Sequence, residues 1–547
     1  MDRLQASPKA DHKYHLEGKD GDAVHRTICT TGTRSKILNN VINWANDTSS
    51  ESPNIYWLFG QAGSGKTTIA YTIARRFELA TDNADTITLA GNFFCSRQFE
   101  ETRASKCIIR TIAYHLVRIC PSFANTLLGG SKTIDSVMVN RNVKVQLQDF
   151  LVEPWLEYRR RDPSTPAPNY LIVIDALDEI DGKGGSEFLG ALLNVINKQR
   201  LPGLKFFVTS RSDPDLVADV EKFKQKHRYR LQDVEEVEVR ADIKTYLNAS
   251  LPNLATDVVE KLMTLAAGLF IYAATVVKVL GTWGRSEQEQ FLAELSATSN
   301  SSVSQPTSDA TSFRLLDELY LQVLGKAFHA FTPPKSPKWV DRLRILHTFI
   351  STFERTSTSV VSHLLFSSDY TDVAEKLFSD LHAVLYAEHG RVLAYHKSFS
   401  DFLFDEKRSA EFWCDPGTHH RLLTDSCFRV MKKGLRFNIA DIPSSFVLDR
   451  ENDALAGEVE RNISPVLRYS CRNWDRHLSA TKPTSCDPLH ETLSEFLQLR
   501  ALFWIEVMNL LNSRGHCYPM FQRAREWVIE SKASAVCKEY CQTYWNV

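Results

Sequence analysis

The chain has 547 residues, of which 43% are hydrophobic and 24% charged. That length predicts about three or four folded units, and that composition excludes wholesale disorder, collagen-like repeats and disulfide scaffolds. With 65 Lys plus Arg against 66 Asp plus Glu the net charge is −1, which leaves no global field to draw in nucleic acid or anionic lipid.

Residues 1–28 are mostly polar and charged and lack the apolar core of a secretion signal, and Asp2 excludes N-myristoylation. They are expected to form an unstructured polar tail. Ser35–Ala45 places Ile37, Leu38, Val41, Ile42 and Trp44 on one helical face, a short amphipathic lead-in helix that NDTSSESPN ends. From Ile55 apolar runs alternate with helical patterns: IYWLF, a helix opened by a glycine-rich loop, ITLAGNFFC, a helix from Lys106 to Ile119, LIVID, a helix through EFLGALLNVI, LKFFVTS, and RYRLQ as one further strand. This rhythm predicts a three-layer α/β domain over residues 29–235, a parallel sheet with crossover helices.

Residues 236–295 turn helical. Their longest uncharged stretch, Leu262–Val277, is shorter than the roughly 20 apolar residues of a membrane span and reads as a buried helix. The Ser/Thr-rich run 296–312 predicts a linker. Within 313–410, helices to Leu381 precede AVLYAEHGRVLAY, whose two apolar runs flank Glu388, His389 and Gly390 as a hairpin does, so a winged helix is expected. Residues 411–547 carry helical periodicity rich in aromatics; FLQLRALFWIEVMNLL reads as a buried helix, or as a partner-binding one. No repeat recurs at a fixed period. The cysteines show no CxxC pair, and Cys537 with Cys541 lacks a second pair or histidine set at zinc-ligand spacing, so they read as reduced thiols of a cytoplasmic protein.

The run GQAGSGKT, Gly60–Thr67, fits GxxxxGK[ST], follows a strand-like segment and opens a helix, the context that a phosphate-binding loop requires. Gly60, Gly63, Ser64 and Gly65 allow backbone N–H groups to converge on phosphate oxygens, Lys66 neutralises the outer phosphates, and Thr67 offers its hydroxyl to magnesium; Thr68 completes the nucleotide contacts. LIVIDALDE ends a β-favouring run in Asp175, at the strand edge where open parallel sheets bind ligands. Asp175 is the expected second magnesium residue, and Asp178 or Glu179 the group that orients the attacking water. Taken alone, these are acidic residues ending a buried strand. Arg211, after LKFFVTS, is the candidate sensor of a terminal phosphate; an arginine there also serves as a solvated end charge.

GQAGSGKTT, LIVIDALDE and FFVTSR in this order, with CTTGTRSKIL before them and GNFFCSR between, resemble the NACHT domains of STAND-class nucleotide switches, in particular the nephrocystin-like NACHT proteins of fungi, relatives of the NOD-like receptors. Ala176 after the magnesium aspartate, and the acidic pair Asp178 and Glu179, match that group. The resemblance continues through GLFIYAAT, LDELYLQVL, YHKSFSDFL and LRYSCRNWDRHL, over roughly residues 29–510. It implies binding of ATP and ADP with Mg2+, slow hydrolysis, self-association in the ATP state, and a role in signal transduction or in innate-immunity-like self-recognition. It further implies that His396, in YHKSFSDFL, contacts the ADP β-phosphate and that Arg34 lies near the adenine. Read as residues alone, His396 is equally a packing histidine and Arg34 a helix-start surface charge. Gly268, Leu269 and Phe270 depart from the Gly-x-Pro of many switch ATPases, leaving Phe270 to stack on the base or to pack in the core. The rival readings are a non-hydrolysing nucleotide-binding scaffold and an ATPase acting on nucleic acid. No nucleophile elbow or metal cluster is evident, and neither a membrane nor a nucleic-acid partner is expected.

Overall fold

The computed structural model describes residues 4–14, 26–49, 51–79, 85–97, 99–129, 136–139, 141–161, 169–198, 201–211, 227–230, 236–282, 288, 291, 309–329, 336–354, 356–366, 370–388, 391–443, 452, 454–482 and 488–530. They fall into two compact units, Met1–Leu319 and Tyr320–Val547.

In the first unit the apolar runs become strands β1 (Ile55–Phe59), β2 (Ile87–Phe94), β3 (Asn169–Asp175), β4 (Leu204–Ser210) and β5 (His227–Arg230). They pair in parallel in the order β2-β3-β4-β1-β5. Every residue of β1 and β4 is buried, as a parallel sheet covered on both faces demands. Alternation sorts the side chains between two cores. Trp57, Phe59, Ile172, Ile174, Phe206 and Val208 pack with Ile108, Ile112, Leu116, Leu189 and Leu192, from helices Ser105–Ile119 and Gly184–Lys198. Tyr56, Leu58, Leu171, Val173 and Phe207 pack on the other side with Ile37, Val41, Trp44, Ile69, Ile73 and Phe77. These come from the lead-in helix Ser35–Asn46 and the helix Lys66–Leu79. The result is the expected three-layer domain, with β4 running between β1 and β3.

Residues 4–14 correct the expectation of an unstructured tail. Leu4 is 1% and Ala10 0% exposed. Ser7 N donates to Thr111 Oγ1 at 2.9 Å and His12 N to Asn92 Oδ1 at 2.8 Å. A polar segment lacks the apolar periodicity that marks an element, yet it orders where its backbone finds such partners; residues 1–3 and 15–25 lie outside the described residues. Helices Pro121–Leu128, Val143–Leu147 and Glu153–Arg161 also fill the stretch before β3.

After the sheet come helices Glu236–Ser250, Thr256–Ala266 and Phe270–Thr282. The single buried helix expected through Leu262–Val277 is therefore two. Ala267 and Gly268 take φ of 43° and 80°, and Ala267 N closes on Thr264 O at 3.3 Å, a left-handed cap that stops the first helix. No helix among the described residues is long and apolar enough to cross a membrane. Of the Ser/Thr-rich run 296–312, residues 296–308 lie outside the described residues and 309–312 open the helix Asp309–Phe328.

In the second unit the order is helix Pro337–Ser351, β6 (Thr356–Ser357), helices Thr358–Leu365 and Thr371–Asp380, then β7 (Leu385–Glu388) and β8 (Arg391–Ala394). The strands pair antiparallel as β6-β8-β7, so the hairpin expected from AVLYAEHGRVLAY follows a run of helices. Residues 389 and 390 lie outside the described residues. Helices Pro416–Gly434, Pro465–Ser479, Leu489–Leu499, Ala501–Leu510 and Cys517–Glu530 follow around a core containing Phe428, Trp474, Phe496, Trp504 and Trp527. FLQLRALFWIEVMNLL is again two helices, breaking at Arg500 with φ −135°, and it leaves Leu499 and Leu502 exposed.

Asn54 fixes the start of β1 beside β4: its Nδ2 donates to Leu201 O at 2.8 Å and to Leu204 O at 2.7 Å, while Phe206 N donates to its carbonyl at 2.7 Å. Asn54→Ala strands two buried carbonyls, and urea denaturation should show a loss of about 1–3 kcal/mol.

Candidate nucleotide-binding site

The loop between β1 and the helix Lys66–Leu79 turns on two glycines, Gly63 at φ 75° and Gly65 at φ 90°, where a side chain would be strained. Its start is hooked to the sheet by Gly60 N donating to Ser210 O at 3.3 Å. Ser64 Oγ donates to Gln61 O at 2.9 Å. Lys66 is buried, and its Nζ donates to Gly60 O at 2.9 Å and to Gln61 O at 2.6 Å. Burial pushes Lys66 down to about 8, against the upward pull of Asp178, Asp175 and Glu179. Three carboxylates predicted from one motif thus surround the cation predicted from another.

Asp175 closes β3 at 1% exposure. Thr209 Oγ1 donates to its Oδ1 at 2.5 Å and accepts from Ala176 N at 2.9 Å. Burial raises the Asp175 pKa, while hydrogen bonds from Thr209 and Thr67 lower it. The structure therefore joins the two expected magnesium residues, Thr67 and Asp175, directly. Hard oxygen donors around a buried carboxylate fit a small divalent cation. Ala176, at φ 56° and ψ 45°, turns the chain off the strand so that Leu177–Glu179 carries both acidic residues back toward the loop. Asp178 accepts from Arg211 N at 2.9 Å and pairs with Arg211 Nε at 3.1 Å. Glu179 accepts from Arg97 N at 3.2 Å. Asp178 and Arg211, read from sequence as independent, form an ion pair.

Arg34 is 5% exposed, which removes it from the class of surface charges. Its Nη2 donates to Ser64 O at 2.8 Å, its backbone N donates to Asp242 Oδ2 at 3.1 Å, and its guanidinium lies 4.4 Å from the centroid of the Phe270 ring. Tyr246 lies 6.2 Å from the same ring. Phe270 thus serves as the platform for an arginine, a use of an aromatic worth about 0.5–2 kcal/mol. The next residue, Ile271, donates its N–H to Gly63 O at 3.1 Å. Sequence reasoning missed Thr209 and Asp242. Thr209 carried a signal, a hydroxyl in an otherwise apolar strand; Asp242, in a helix far along the chain, carried none.

His396 belongs to the second unit. It caps the helix Lys397–Leu403, its Nδ1 accepting from Ser398 N at 3.1 Å and lying 2.7 Å from Ser398 Oγ. An Nδ1 that accepts a backbone N–H leaves the ring proton on Nε2.

A parallel sheet with a glycine-rich loop, a buried lysine and a pair of threonines at a helix start, facing a strand-end aspartate, defines a P-loop nucleoside triphosphatase fold. Residues 32–211 match the family model described as Nephrocystin 3, N-terminal. The protein carries a nephrocystin 3 N-terminal domain. No curated protein matches the chain. Among solved structures it is similar to a Walker-type ATPase of Pyrococcus abyssi, at 10% identity over 69% of this chain and 98% of that one, with TM-score 0.33. It is also similar to the Aeropyrum pernix ORC1 protein, solved in complex with DNA, at 13% identity over 68% and 92% with TM-score 0.30. The Drosophila ORC bound to DNA is similar at 15% identity over 63% and 79%, with TM-score 0.26. At these scores the likeness carries no argument, and the fold assignment rests on the strand order and the loop.

Phosphate oxygens attract only the charged form of Lys66, whose pKa lies at about 8. As pH rises through that value the free protein loses the cation, so ADP affinity measured by calorimetry should fall about tenfold between pH 7 and pH 9. A constant Kd would place the Lys66 titration elsewhere.

Proposed function

We propose that the protein is a nucleotide-operated switch that binds ATP and ADP with Mg2+, hydrolyses ATP slowly, and transmits its state by regulated self-association in a signalling or self-recognition pathway. One observation carries the reading: the helical segment after the sheet is hydrogen-bonded to the phosphate loop itself, through Ile271 N to Gly63 O at 3.1 Å, with Arg34 Nη2 on the neighbouring Ser64 O at 2.8 Å. A loop that adjusts to the presence of a terminal phosphate pulls on that segment. A metabolic enzyme has no need of such a link.

In this reading Gly60, Gly63, Ser64, Gly65 and Thr68 surround the phosphates and Lys66 neutralises them. Magnesium, held by Thr67 and Asp175, supplies further neutralisation at the outer phosphate oxygens. Arg211 exchanges Asp178 for the terminal phosphate, so that its ion pair is the resting partner in a two-state choice. Glu179 orients the attacking water, because Asp178 is engaged with Arg211. His396, in the second unit, is the ADP-sensing residue in this reading, a role that the resemblance suggests. The eight cysteines among the described residues are all free, in keeping with a reducing cytoplasmic setting.

The direct test is the nucleotide that co-purifies with the protein. Stoichiometric ADP supports the switch; a chain that neither retains nor binds nucleotide refutes it. Lys66→Ala should abolish binding, whereas changing Asp178 and Glu179 together to Ala should preserve binding and stop hydrolysis. Unaltered turnover in the double variant would overturn the water-orienting role. His396→Ala should release ADP about tenfold faster for the loss of about 1.4 kcal/mol of differential contact, with increased self-association by light scattering.

A further inference from the structure

Far from the phosphate loop in sequence, three side chains of metal-ligand type converge within the second unit. One ligand atom each of His347, Cys414 and His419 lies within 4.8 Å of the others, and all three residues are buried. His347 sits in the helix Pro337–Ser351, Cys414 in the turn before Asp415, and His419 in the helix Pro416–Gly434. The two imidazoles stand perpendicular, at 89° with centroids 5.5 Å apart, so neither ring covers the other.

The surrounding hydrogen bonds set both rings in the tautomer that a metal requires. His347 Nε2 lies 3.0 Å from Phe412 O. A carbonyl only accepts, so Nε2 carries the proton and Nδ1 the lone pair. Thr348 Oγ1 spends its own proton on Arg344 O at 2.8 Å, and therefore accepts from His419 Nε2 at 3.0 Å. Nδ1 of His419 is again the basic nitrogen. Metal-bound histidines characteristically donate their second ring N–H in this way. Ser351 Oγ, 4.0 Å from Cys414 Sγ, is placed to donate to a thiolate.

We propose that His347, Cys414 and His419 bind one divalent transition-metal ion, zinc by chemistry, through the two Nδ1 atoms and the Cys414 thiolate, with the fourth position left to water. Two imidazoles and a thiolate suit a borderline-soft tetrahedral ion, and no carboxylate joins the set to favour calcium or magnesium. Tetrahedral zinc spaces such atoms about 3.3–3.6 Å apart, so the side chains draw in by about 1 Å. Binding converts the Cys414 S–H to a thiolate and releases one proton to solvent, both imidazoles being neutral already. The ion would clamp the first helix of the winged-helix element to the helix Pro416–Gly434, independently of nucleotide chemistry.

The full chain, stripped of metal with chelator, is titrated with cobalt(II). One equivalent should bind with a thiolate-to-cobalt charge-transfer band and the intense visible absorption of tetrahedral cobalt, and zinc should displace it. With zinc at about a hundredfold excess over Kd the unfolding midpoint of the unit should rise by about 5–10 °C. Cys414→Ser should lose the charge-transfer band. Ser351→Ala, which touches no ligand nitrogen, should keep the band at lower affinity, so the proposal survives a Cys414→Ser variant that fails to fold. A folded wild-type chain that gives no charge-transfer band, or a Cys414→Ser variant that retains it, overturns the assignment. Cobalt at the oxygen-lined magnesium residues produces no thiolate band, which keeps the two sites distinguishable.

Discussion

Asp175 is a carboxylate at 1% exposure, and an ionised group so placed is tolerable only when hydrogen bonds and opposite charge compensate the lost hydration. Thr209 reaches it from β4 and Thr67 from the first turn of the phosphate-loop helix, while Arg26 and Lys66 contribute opposite charge. None of these contacts exists unless β4 lies between β1 and β3, with Ile174 opposite Val208 and Phe59 opposite Ser210. The strand order thus sets the site: it delivers the Thr209 hydroxyl to the carboxylate and puts Arg211 beside Asp178. Burial pushes the Lys66 and Asp175 pKa values toward their neutral forms, Lys66 down and Asp175 up.

Much of the first unit was legible because its signals are local. A parallel strand buried on both faces needs an unbroken apolar run, so IYWLF, LIVID and LKFFVTS announced themselves within a residue or two. The phosphate loop was legible because only glycine accepts the φ values found at Gly63 and Gly65. What stayed hidden depends on pairs. Arg34 and Asp242 are 208 residues apart, and nothing on either side of Arg34 distinguishes a buried guanidinium from a surface one. His347 lacks the short spacing to Cys414 and His419 that marks zinc ligands, since four helices and a hairpin lie between. The polar segment around Ser7 and His12 orders through bonds to Thr111 and Asn92, which hydropathy does not register. Uncharged runs misled in the opposite sense: Leu262–Val277 is apolar enough for one helix, and only the backbone of Ala267 and Gly268 divides it.

The ion pair between Asp178 and Arg211 gives the two carboxylates of one short motif different environments. Asp178 is held by a guanidinium and a backbone N–H, and Glu179 accepts a backbone N–H from Arg97. A carboxylate with a full-charge partner is the weaker acceptor for a water proton. The two acidic residues of the motif are thus set apart by their neighbours rather than by sequence position, Asp178 meeting Arg211 and Glu179 meeting the Arg97 backbone.

Arg34 joins the phosphate loop to elements on both sides of it. Its guanidinium touches the Ser64 carbonyl and the Phe270 ring, and its backbone N–H, at the start of the helix Ser35–Asn46, meets Asp242 in the helix Glu236–Ser250. Removing one partner from a buried charge pair costs about 3–5 kcal/mol, more than a single differential phosphate contact supplies. Arg34 thus ties the lead-in helix, the phosphate loop and the helices after the sheet to one another, and Ile271 N on Gly63 O adds a second tie between the loop and the last of them. Proline in the place of Phe270 would lack the ring on which the guanidinium rests, so the departure at this position is matched by a second residue, Arg34, and the pair is the unit to compare with proteins that carry Gly-x-Pro.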